Sequence, residues 1–181
     1  MRRILEVSRG GGYRLLLLRF LLCLCGVVGA SDSVCLRFYY FSNLLLMKTK
    51  HFLESADVKA IAAAAEVEAL KNNWAVTIAI VDDGGHLLNL HRLDGAPAIS
   101  SHIAPAKAHT AALGRRESKI YEDVINGGRV SFVTAPEVKG MLEGGVPIMK
   151  DGQCIGAVGV SGVKSNEDAQ IAKAGIAAIG L

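Results

Sequence analysis

The chain has 181 residues, 51% of them hydrophobic, which is enough for one domain with a real core and too little for two. Its net charge of +3 is unevenly placed: residues 1–46 hold six arginines (Arg2, Arg3, Arg9, Arg14, Arg19, Arg37) against Glu6 and Asp32, and removing these from 20 basic and 17 acidic residues leaves 14 against 15 for 47–181. The body is therefore electrically balanced, which excludes the basic footprint of a nucleic-acid binder.

Residues 1–46 read in three ways. Basic residues, an apolar run from Leu15 to Val28 and then Val28-Gly29-Ala30 resemble a secretory signal, but Arg19 interrupts the run and Glu6 sits in the basic region. A membrane anchor needs roughly 20 apolar residues, and this stretch is shorter and charged, so no stable span is expected. The third reading, an upstream-translated segment with Met47 as the native start, fits best the abrupt change in composition at Met47-Lys48-Thr49-Lys50. With that start the domain is cytoplasmic; with the first 30 residues acting as a signal it is exported. Cys23, Cys25 and Cys35 precede the body, which holds Cys154 alone. A single cysteine cannot staple a domain, and its apolar neighbours make Cys154 a buried small hydrophobe.

Within the body, 55–72 reads as an amphipathic helix capped by Ser55 or Asp57, with Val58, Ile61, Ala62, Ala65, Ala69 and Leu70 at helical spacing. Asn72-Asn73 ends it. Residues 75–81 and 86–93 flank Asp82-Asp83-Gly84-Gly85 and form a hairpin. Residues 95–104 read as a loop, Pro105 as the first turn of a helix continuing through 113, and 117–126 as a second helical piece after Gly114, stopped by Gly127-Gly128. Residues 132–136 read as short and extended, and 143–145 as a tight loop. A second hairpin, 146–149 with 153–160, turns at Lys150-Asp151-Gly152. An alanine-rich helix over 166–179 closes the chain. Hairpins bracketed by helices argue for an antiparallel sheet in a layered α/β (α+β) arrangement.

Gly156, Gly159 and Gly162 have the spacing GxxGxxG inside a strand, not a dinucleotide fingerprint; glycines there permit close approach of a helix or a flat ligand. The five histidines form no zinc pattern and no haem-attachment motif, so no metal site is assigned. Ser161 has no assigned base, which argues against a serine triad. Lys107, His109, Thr110, Arg115 and Arg116 share one short helical segment that can hold carboxylates or propionates. Glu143 precedes Gly144-Gly145, whose amides can hold an anion.

Lys71-Asn72-Asn73-Trp74, Asp82-Asp83-Gly84-Gly85-His86-Leu87-Leu88 and Thr110-Ala111-Ala112-Leu113-Gly114-Arg115-Arg116-Glu117 resemble the GlcG/HbpS-like family, as do the runs over 132–136, 142–147 and 156–162. The similarity runs in order from Met47 to near Leu181, so 47–181 is expected to be the domain and 1–46 an extension with no counterpart. The resemblance implies a profilin-like three-layer α/β/α fold with an antiparallel five-stranded sheet, homo-oligomers, and haem as the cofactor, since HbpS-type members and the PduO C-terminal domain bind it. It transfers no axial ligand.

The leading expectation is a protein that binds a small ligand, haem or another tetrapyrrole, without strong catalysis. An accessory enzyme of glycolate or 2-hydroxy-acid metabolism, holding a small carboxylate, is the alternative; an oligomeric adaptor without ligand is the third. The site is expected where helix 105–116 faces loop 143–147. Lys107, Arg115 and Arg116 serve there as cationic anchors for carboxylates or propionates, His109 and Thr110 as metal-facing atoms, and Glu143, Gly144 and Gly145 as the loop. His86 is the competing histidine.

Overall fold

The computed structural model describes residues 49–137 and 139–181, and all of these except Thr49 lie in one unit, Lys50–Leu181. The readings placed on 1–46 fall outside the described residues. Helix α1 (Ser55–Lys71) leads into strands β1 (Thr77–Asp82) and β2 (Leu87–Arg92). Helices α2 (Ser100–Gly114) and α3 (Lys119–Asn126) follow, then a 3-10 turn (Val130–Thr134), β3 (Gly145–Lys150), β4 (Gln153–Ser161) and α4 (Ser165–Ala177). None of the described helices is long and apolar enough to cross a membrane.

The strands lie in the order β2-β1-β4-β3, each neighbour pair antiparallel. Alternation along each strand divides the sheet into two unlike faces. Ile78, Ile80, Ile148, Val158 and Val160 point to the face covered by α1 and α4, where they meet Ile61, Ala65 and Ile171. Each fully buried aliphatic side chain there is worth about 1.5–3 kcal/mol, so this face supplies most of the hydrophobic stabilisation. The opposite face carries Val81 and Ala157 against Ala108, Ala111 and Ala112 of α2. Its side chains are small, so the helix rides close: a Cβ on Gly159 would run into the Ala104 carbonyl.

The first hairpin forms as expected, with a bulge between Ile80 and Val81. The second turns through Asp151 at φ 48 and Gly152 at φ 75, the paired left-handed conformations a two-residue turn requires. Five expectations need correction. The described sheet has four strands, not five. The segment read as extended at 132–136 instead coils into the 3-10 turn, closed locally by the Thr134 hydroxyl on the Ser131 carbonyl at 2.7 Å. Helix α2 starts at Ser100, so Pro105 lies inside it and leaves the Ser101 carbonyl without its helical N–H. What starts the helix early is tertiary: the Ser100 hydroxyl donates to Pro97 O at 2.6 Å and meets the buried Thr77 hydroxyl at 2.6 Å, pinning the first turn to β1. Leu70, counted in the buried stripe of α1, is exposed, and Cys154 is half-buried.

Candidate functional site

The predicted site residues do not converge. A helix turns 100° per residue, so Lys107 and His109 stand on opposite flanks of α2.

The Lys107 flank faces β3 and is filled by the protein itself. Lys107 and Asp168 of α4 are 4% and 2% exposed, and the ammonium donates to Asp168 Oδ2 at 2.8 Å. A second bond goes to the Val160 carbonyl at 3.0 Å. This pair ties the helix on one face of the sheet to a helix on the other. Burial pushes the Asp168 carboxyl above its ordinary value, and the Lys107 ammonium pulls it back only in part. The pair passes Gly144, where at φ 123 a Cβ would stand 2.8 Å from Lys107 Nζ and 2.8 Å from Val160 O. A Cβ on Gly145 would meet the Lys107 carbonyl. The two glycines therefore make room for Lys107 and its helix, not for a flat ligand. Thr110 is buried and its hydroxyl accepts from the Gly140 amide at 3.1 Å. Of the two amides read as an anion nest, Gly145 N donates to Ser118 Oγ at 2.8 Å, and the neighbouring Glu143 N donates to Glu122 Oε2 at 2.6 Å. The Glu143 carboxylate lies 3.4 Å from Lys119.

The His109 flank faces the edge strand β2. Its ring Nδ1 lies 3.2 Å from the Gly85 carbonyl. A carbonyl only accepts, so Nδ1 carries the proton and Nε2 keeps its lone pair for a ligand. Gly85, at φ 81, admits the ring because a Cβ there would collide with it. Asp82 builds the turn that presents this carbonyl: Oδ1 accepts from the amides of Gly84 and His86, each at 2.8 Å. The His86 ring Nδ1 is 3.0 Å from Oδ2. Burial works against the Asp82 carboxylate, but the bonds from His86 and Gly84 outweigh it and hold its pKa below the ordinary value. His86 is thus one residue from the carbonyl that holds His109, and the two histidines are not independent candidates.

Beside His109 lies an apolar shelf. Leu90 pairs with Ala79 and Leu87 with Val81, residues that point toward α2, so both leucines share that face. Leu87 is 53% and Leu90 42% exposed, with Leu88 at the bulge 44%. Leu113, one turn beyond His109 on the same side of α2, is 41% exposed. Exposed His102, two turns before, completes that side. The leucines are the site residues sequence reading missed. Their signal was present as Leu87-Leu88-Asn89-Leu90 in a strand with no second neighbour, but which strand is the edge is a matter of topology. Past the helix end, Arg115 and Arg116 are exposed. Arg115 sits at φ 53 as the helix cap, and the Arg116 guanidinium lies 5.8 Å from the Tyr121 ring. Half-buried Cys154 directs Sγ at the Ala112 carbonyl at 3.6 Å, and burial raises its pKa, so it is no ready nucleophile.

This flank offers exposed leucines, an imidazole with one nitrogen fixed, and two arginines beyond the helix end.

Residues 53–177 match the model of the family described as haem degrading protein HbpS-like. Protein GlcG of Escherichia coli is 58% identical over 115 residues, covering 64% of this chain and 85% of that protein. Among solved structures, an HbpS variant from Streptomyces reticuli superposes with TM-score 0.68 at 29% identity, covering 75% of this chain and 92% of that one. The crystal structure of a PduOC:haem complex gives TM-score 0.65 at 30% identity, with 71% and 95% coverage.

Proposed function

The chain belongs to the HbpS-like family, and on that premise we propose that it binds haem or a similar tetrapyrrole on the shelf between α2 and β2. The observation that carries this reading is the bond from His109 to the Gly85 carbonyl beside exposed Leu87, Leu90 and Leu113. Its support from relatives is the likeness to a haem complex at 30% identity. His109 would be the residue that holds the iron of a bound haem, and the haem would supply the absorbance that reports binding. The chain's own residues do the rest. The Gly85 carbonyl orients His109 so that Nε2 is the ligating atom, the leucines exclude water from one face of the ring, and Arg115 and Arg116 meet carboxylates at the rim. Lys107, Thr110, Gly144 and Gly145, which the sequence nominated, hold α2 in place. Glu143 fixes the neighbouring loop.

Titrating hemin into the protein should give a Soret band saturating near one haem per chain. His109→Ala should shift the band and weaken binding at least tenfold, since even supporting residues of a metal site change affinity by about 10–100-fold. His86→Ala should keep the band position. A His109→Ala protein that binds and absorbs like the parent removes this reading.

The finer expectation of self-association also has a surface. Among the described residues β2 has no second neighbour, and an edge strand with exposed leucines is a template for a second copy. Light scattering at micromolar concentration should give a multiple of the chain mass; a monomer would contradict it.

A further inference from the structure

After α2 the chain leaves the body at Ser118 and returns at Leu142, and both ends are fastened at one point. The buried Ser118 hydroxyl meets the Leu142 carbonyl at 2.5 Å, and Ser118 N donates to Gly145 O at 2.9 Å. Between these ends neither α3 nor the 3-10 turn buries a single residue. The excursion holds together by its own contacts: Tyr121 and Phe132 rings are 5.4 Å apart, and the Arg129 guanidinium lies 5.4 Å from the Phe132 ring. It borders an open cleft of about 680 Å³ walled by Ile125, Val133, Pro136, Met141 and Leu142. That volume falls within the roughly 300–1,000 Å³ of small-molecule sites.

Three charged groups line the cleft: the carboxylates of Glu122 and Glu137 against the ammonium of Lys139. Glu122 does not swing freely, because the Glu143 amide holds one of its oxygens at 2.6 Å. Glu137 and Lys139 are exposed. The walls suit an apolar body, and two carboxylates against one ammonium leave a net negative charge that suits a positive head.

We propose that this cleft is a second binding site, for a small apolar molecule carrying an amine. It is independent of the haem reading, because it lies on the β3 side of α2: Gly140, which leads into its wall, packs against the backbone of Ala106 and Lys107.

The test uses the full chain loaded with the apolar fluorophore N-phenyl-1-naphthylamine, displaced in turn by octylamine, octanol and octanoate. Octylamine should displace it at the lowest concentration and octanoate at the highest. Glu137→Gln should reduce the preference for octylamine over octanol by about two- to fivefold, the range of an exposed ion pair. Leu142→Asp should weaken octanol, and Leu90→Glu, on the shelf, should leave the order unchanged. Octanoate binding as tightly as octylamine, displacement by none of the three, or an order lost in Leu90→Glu would each overturn the proposal. A parent chain that binds no hemin but keeps the amine preference would overturn only the haem reading.

Discussion

The two flanks of α2 use opposite chemistry for opposite ends. The flank toward β3 carries a lysine, a threonine and glycines, the residue types that attract a functional reading, and all of them are consumed internally. The flank toward β2 carries leucines and two histidines, His102 and His109, and little covers them. A polar group that is buried and satisfied holds the fold together; an apolar group left exposed beside one oriented nitrogen is what a ligand can still use. Charge and glycine content alone therefore point to the flank that the protein fills with its own groups.

The largest effect should come from breaking the closed flank. Lys107→Ala leaves the Asp168 carboxylate buried without its partner and should cost about 3–5 kcal/mol, the range for breaking a buried ion pair. Chemical denaturation measures it. The double variant Lys107→Met with Asp168→Leu should recover most of that loss, because replacing both members removes the desolvated charge. If Lys107→Ala instead kept its stability and weakened hemin binding, the two flanks would have exchanged roles.

Gly144→Ala should be next, at roughly 2 kcal/mol or more, since it adds a side chain where positive φ is required and where Lys107 and Val160 already stand. Gly152→Ala, with φ 75 but open space around it, gives the conformational part alone. Equal losses at the two positions would mean that the Lys107 passage tolerates a methyl group.

How much of this was legible follows from the range of each interaction. The first helix, both hairpins and the closing helix were readable because periodicity and turn residues act over a few positions. That Lys107 and His109 diverge was also readable, from their spacing of two on a helix. The partner of Lys107 was not: Asp168 lies 61 residues away and meets it only after the sheet has brought α2 and α4 to the edge of one gap. The early start of α2 was hidden for the same reason, because Ser100 is held by Thr77 across 23 residues. In the candidate site, the histidine was found, but its orienting carbonyl and the exposed leucines depend on β2 being the edge strand.

On the open flank, removing His109 should scarcely affect folding. The ring is half-buried with one bond to a carbonyl, so His109→Ala should change stability by about 1 kcal/mol or less while changing hemin binding as above. A variant destabilised as much as Lys107→Ala would show that His109 serves the fold as the closed flank does.

The smallest effect concerns the turn that aims His109. Asp82 accepts from Gly84, from the His86 amide and from the His86 ring, and these bonds hold its pKa below 3.8 despite burial. A carboxylate whose pKa is lower folded than unfolded stabilises the fold above the unfolded value and loses that contribution as pH falls through the folded one. Asp82 is partly exposed, so solvent screens the effect, and it should amount to about 1 kcal/mol or less. Between pH 5 and pH 3, roughly the span over which a carboxylate titrates, parent stability should fall more steeply than that of Asp82→Asn. The gap between the two proteins should narrow as acid removes what the substitution has already taken. At neutral pH the same variant should loosen the Gly85 carbonyl and lower hemin affinity by about tenfold or less, as an outer-shell change does. Parallel pH curves would mean that the carboxylate does not hold the turn. The orientation of His109 would then come from its packing against Gly85 alone, where the ring fills the space that a Cβ would need.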